Sequence, residues 1–183
     1  MTLSTFSLLA GGLIAAVQVF GLLKPAQLGA AARAFPRSLT AGYLLVAVGT
    51  LWFFYYLRQE SIADFERYKN VMFAGFGLVA VGTCLFVNDF LAVRGLAITL
   101  LVLGKFMVDL ARWHDSAWRL VITTWAYLLI IAGMWFTVSP WRCRDLIAWA
   151  TASEGRIQLL CGVRLAFALL LIVLGLTAFR SHA

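Results

Sequence analysis

Six long apolar runs alternate with short polar connectors along the 183 residues of this chain. They cover 3–23, 39–57, 70–88, 95–111, 120–141 and 157–179. A bilayer hydrocarbon core about 30 Å thick needs about 20 helical residues at 1.5 Å each. Each run therefore predicts a transmembrane helix. The runs are apolar on both faces, whereas barrel strands alternate apolar and polar positions. The predicted class is all-α: a polytopic integral membrane protein, a bundle of six transmembrane helices arranged as three hairpins. The first run lacks a basic stretch before it and is long for a signal peptide, so it reads as a retained helix. The longest connectors, 24–38 and 140–156, have no room for a core of their own. Residues 1–183 thus read as a single transmembrane domain.

The first and last hairpins resemble each other, which suggests a repeat relating 3–57 to 120–179. In each, an apolar helix ends near a proline, Pro25 or Pro140. A semi-amphipathic stretch with basic residues follows, then another apolar helix. Ser139 before Pro140 predicts an N-cap and first helical position, with 141–152 as a short interfacial helix before the last span. Residues 26–35 are the counterpart, stopped by Pro36, and Ser38 or Thr40 is positioned to cap the next helix. Gly42 with Gly49, and Gly75 with Gly82, are one heptad apart and mark faces for close helix packing. In the second connector, Ile62, Phe65 and Tyr68 fall at helical spacing, as in a short amphipathic helix; the alternatives are a docking surface for a larger extramembrane partner and a plain solvated connector.

Composition agrees with the pattern: 63% of residues are hydrophobic and the mean hydropathy is +0.91. The formal charge of +7 does not indicate nucleic acid, because the basic residues mostly flank spans, where they anchor helices and meet lipid head groups. Trp52, Tyr55, Tyr56, Trp113, Trp118 and Trp141 sit near span ends, as an interfacial belt does. Lys and Arg divide eight to seven between the two faces. The first connector holds Lys24, Arg33 and Arg37 without an acid and sets the orientation: this connector cytoplasmic, both termini periplasmic.

Pro140 followed by Trp141, Arg142 and Arg144, then Arg156, Gly162 and an apolar run through Gly175, resembles the YjeT-like small membrane proteins. The resemblance covers about residues 133–175. It departs from the family in its connector, where Ser153-Glu154-Gly155 stands in place of the usual proline. The resemblance implies a bacterial inner-membrane protein and no catalytic residue.

Charge inside an apolar run is concentrated in the fourth span. Lys105 and Asp109 are four residues apart on one helix face, at ion-pairing distance. With Arg112, His114, Asp115 and Arg119 they form a membrane-embedded polar cluster within fifteen residues. Intramembrane ionisable groups are candidates for function. Arg112, His114 and Arg119 suit a phosphate or carboxylate, with Asp109 or Asp115 as proton acceptor. The structural alternative is a snorkelling Lys105 neutralised by Asp109 and a pair that stabilises the hairpin or meets a neighbouring subunit. Arg164, about two turns inside the sixth span, is a candidate lipid or subunit contact, with Asp89, Asp145 or a lipid phosphate as its partner. Asp89 is alternatively a cap for the turn between spans three and four, or a partner of Arg94.

No cofactor or metal is expected. Haem between helices needs paired histidines within spans, and the two present are His114 in a loop and His182 in the tail. Cys84, Cys143 and Cys161 lack metal-ligand spacing. No phosphate-cradling glycine loop or nucleophile elbow occurs. The expected function is a non-catalytic accessory, scaffolding or assembly subunit of a larger bacterial membrane complex or a homo-oligomer. Its partners would be lipid and other membrane subunits or copies of itself. The alternative is a small transporter or lipid-acting enzyme centred on the turn between spans four and five.

Overall fold

The structure is a computed structural model, and it describes residues 1–59 and 68–180. Ile62, Phe65 and His182 lie outside the described residues. The described chain is helical: α1 (Leu3–Leu23), α2 (Pro25–Ala34), a 3-10 turn (Phe35–Arg37), α3 (Leu39–Gln59), α4 (Lys69–Phe86), α5 (Leu91–Arg112), α6 (Arg119–Val138), α7 (Trp141–Ala150) and α8 (Glu154–Leu176). Six of these, all but α2 and α7, are long and apolar enough to cross a membrane. The protein is a multi-pass membrane protein.

Local chemistry explains where the helices begin and end. Thr2 caps α1, its hydroxyl accepting from the Thr5 amide at 3.2 Å. Ser38 caps α3 through the Ala41 amide, as its position in the sequence predicts. Several span bounds differ from the hydropathy pattern. α5 starts at Leu91 and so takes in Arg94, because a helix's backbone bonds are indifferent to one charged side chain. α6 ends at Val138, where the Ser139-Pro140 pair interrupts the ladder. α7 then starts at Trp141, one residue after the proline, and the Arg142 amide donates to the Ser139 carbonyl at 3.1 Å. α8 starts at Glu154, because Ser153 accepts from the Arg156 amide at 3.3 Å and caps it.

The chain forms two compact units, Met1–Ala34 with Lys105–Leu128 and Arg144–Ala183, and Phe35–Gly104 with Leu129–Cys143. In the first unit α1 packs along α8. Glycine makes the approach possible. A Cβ at Gly11 would lie 2.8 Å from Ile172 Cγ1 and 2.9 Å from the Ala168 carbonyl oxygen. One at Gly175 would lie 3.0 Å from Leu8 Cγ, and one at Gly21 2.6 Å from Cys161 Sγ. Ser4 adds a hydrogen bond to the Gly175 carbonyl at 2.7 Å. Phe6 stands edge-on to Phe106, and Trp125 to Phe167.

In the second unit α3 meets α5 through the same device. Cβ atoms at Gly42 and Gly49 would lie 2.8 Å from Leu91 Cγ and 2.9 Å from Ile98 Cγ2. One at Gly95 would lie 2.7 Å from Leu45 Cβ. α4 packs on α3, with Phe76 edge-on to Phe53 and Phe73 to Phe54. The turn into α5 carries Phe90 at φ 56, a left-handed conformation costly for a large side chain.

Replacing Gly11 by Val is expected to destabilise the protein by about 1–3 kcal/mol, the range for overpacking. A Cβ at Gly12, one residue on, would meet nothing within 4 Å. Gly12→Val should therefore stay within about 1 kcal/mol of the parent. Thermal unfolding in detergent, followed by circular dichroism, separates the two.

Candidate functional site

α5 carries charge and is also the most buried span. Its buried stripe is Val93, Ala97, Gly104, Met107 and Ala111, at the three-, four- and seven-residue spacings of one helix face. Lys105 and Asp109 point about 120–160° away from that stripe, at 100° per residue, and are exposed. Their ion pair spans 2.9 Å, as the sequence spacing predicts.

The rest of the predicted cluster is brought together around the turn from α5 to α6, chiefly by contacts with the backbone. Arg119 opens α6 and donates from Nη1 to the Arg112 carbonyl at 3.1 Å and the His114 carbonyl at 2.9 Å. Those carbonyls lie at and just beyond the C-terminus of α5, where no further helix amide reaches them. His114 Nδ1 accepts from the Ser116 amide at 3.2 Å, and its ring stands edge-on to Phe179, which is buried. The Arg112 guanidinium lies 5.5 Å from the centre of the Trp113 ring. Asp115 lies in the same turn, with no ion pair to Arg112 or Arg119 among the described residues. The turn is held by arginine on carbonyl and histidine on phenylalanine.

A matching arrangement closes the other helix end in this unit. Arg33 donates to the Thr151 carbonyl at 3.1 Å, and Arg156 to the Trp149 carbonyl at 2.8 Å. The Arg156 guanidinium also lies 5.2 Å from the centre of the Trp149 ring. Both arginines thus serve the C-terminus of α7. The sequence marks Arg33 only as an interfacial charge and gives Arg156 no role beyond its place in the resemblance of 133–175. Their proximity to α7 depends on α2 packing against α8, which the linear pattern does not encode.

Arg164 departs from its predicted surroundings. Asp145 is taken by Arg144, at 2.9 Å, and Asp89 makes no ion pair among the described residues. The earlier start of α8 also puts Arg164 ten residues into the helix, about 15 Å from Glu154. It lines a groove with Leu120, Thr124, Trp125 and Phe167. Of the cysteines, Cys161 is buried against Gly21. Burial of Cys143, in α7, pushes its thiol pKa up, which makes it a poor nucleophile.

Comparison with protein-family models, curated proteins and solved structures finds no match.

Arg119→Ala is expected to cost about 1–3 kcal/mol, because it removes a charged donor from two carbonyls at once. Lys105→Met with Asp109→Leu is expected to change stability by about 1 kcal/mol or less, since the pair is exposed. Chemical denaturation of both variants in detergent measures the contrast.

Proposed function

We propose that this chain is a non-catalytic assembly or scaffolding subunit of a larger complex in the bacterial inner membrane. One observation carries the reading: α4 is an 18-residue span with no buried residue. It exposes Val71, Leu78, Val79, Val81, Leu85 and Phe86. Gly75 and Gly82 on the same helix have nothing within 4 Å of an added Cβ. A helix surrounded only by lipid gains nothing from glycine, which costs about 1 kcal/mol against alanine. A helix that meets another helix gains close backbone approach. The tight glycines of α3 and α5 illustrate that use within this chain, and α4 offers the same surface unfilled.

The contacts at the α5–α6 turn support this reading over a transporter or lipid-acting enzyme. Arg119 is committed to two carbonyls and braces the turn between α5 and α6, and Lys105 is paired with Asp109 on its own helix. The resemblance of 133–175 to the YjeT-like proteins agrees with a bacterial inner-membrane location. Six spans bring both termini to one face, and the basic first connector favours the periplasmic face.

Purification in a mild detergent followed by native mass measurement should give a particle that holds more than one 20.2 kDa chain. A lone monomer overturns the proposal. Gly75→Leu with Gly82→Leu should release the partner without lowering the thermal midpoint, because the added side chains meet open space and leucine favours the helix more than glycine does.

A further inference from the structure

The groove between α6 and α8 combines an apolar lining with one guanidinium. Leu120, Val121, Trp125 and Leu128 line it from α6, and Val163 and Phe167 from α8. Its volume is about 630 Å³, and Thr124 and Arg164 contribute its polar groups. Arg164 is exposed and has no hydrogen bond or ion pair among the described residues.

Depth makes this arginine informative. It lies ten residues from Glu154 and twelve from Leu176, about 15 and 18 Å along α8. That is the middle of a helix long enough to cross the bilayer. An extended arginine leaning toward the helix N-terminus recovers roughly 7 Å, a little over one turn. The guanidinium then stops about 8 Å short of the level of Glu154. An ionised group held in hydrocarbon is costly without a partner, and such groups pair with opposite charge.

We propose that this groove receives a transmembrane helix of a different protein, which sets an Asp or Glu carboxylate against Arg164 at mid-membrane. The proposal rests on the assembly reading and names one of its contacts. Charge complementarity selects the carboxylate, and the planar guanidinium donates to both of its oxygens. Thr124 supplies a hydroxyl beside it. A second copy of this chain does not meet the requirement. Its one acid within a span is Asp109, which lies three residues from the end of α5, about 5 Å, and already pairs with Lys105. The remaining acids fall in connectors or at helix ends.

The test uses the full chain expressed in its native membrane, with a photo-crosslinking residue at position 124 and, separately, Arg164→Leu and Arg164→Lys. The expected adduct is one other membrane protein, linked through a span that contains a mid-depth Asp or Glu. Arg164→Leu should lower its recovery at least tenfold without moving the thermal midpoint of this chain, and Arg164→Lys should restore part of it. Amidation of the partner's acid by substitution, Asp→Asn or Glu→Gln, should match the loss. An adduct to lipid alone, an adduct to a second copy, or full recovery with Arg164→Leu overturns the proposal. If the wild-type particle still holds a partner in any of these cases, the assembly reading stands. A wild-type monomer removes both.

Discussion

The close approach of α1 to α8 is the constraint on which the first unit depends. Lipid tails are as apolar as leucine, so burying apolar surface gives little drive for two helices to associate in a bilayer. Packing and interhelical hydrogen bonds have to supply it. Gly11, Gly21 and Gly175 lower the surface where the opposing helix is bulky, and Ser4 bonds the Gly175 carbonyl. The first and last spans of the chain are joined in this way. The joining sets the loop closure for the chain between them and brings the ends of α2, α7 and the α5–α6 turn into reach of α8.

Arginine then finishes the helix ends. A helix leaves its last carbonyls without intrahelical donors. Arg119 serves the end of α5, and Arg33 and Arg156 serve the end of α7. Three of the fifteen basic residues are therefore architectural. Arg164 is not among them: its guanidinium meets no carbonyl or carboxylate among the described residues.

The membrane class and the helices were legible because each run's length and hydropathy are read directly against a bilayer. The cap at Ser38 follows from a short polar side chain at a helix start. Ser153 caps α8 in the same way, although the apolar run that marks this span begins only at Ile157 and leaves Ser153 in the connector. Lys105 and Asp109 pair because i,i+4 neighbours share a face, which spacing alone reveals. Which helix packs on which was not legible. Gly42 with Gly49 and Gly75 with Gly82 have the same heptad spacing, yet the first pair faces α5 and the second faces open space. The arginine-to-carbonyl bonds were hidden for a related reason, because a carbonyl acceptor has no sequence signature.

One substitution tests the α1–α8 pairing directly. A Cβ at Gly21 would lie 3.8 Å from the Cys161 Cβ, the usual separation across a disulfide. In a background with Cys84 and Cys143 replaced by alanine, Gly21→Cys should form a disulfide with Cys161 on treatment with a membrane-permeant oxidant. Cleavage between the two positions should then leave the fragments joined until reductant is added. Fragments that separate without reductant, from protein whose thiols both remain free after oxidation, would contradict the pairing.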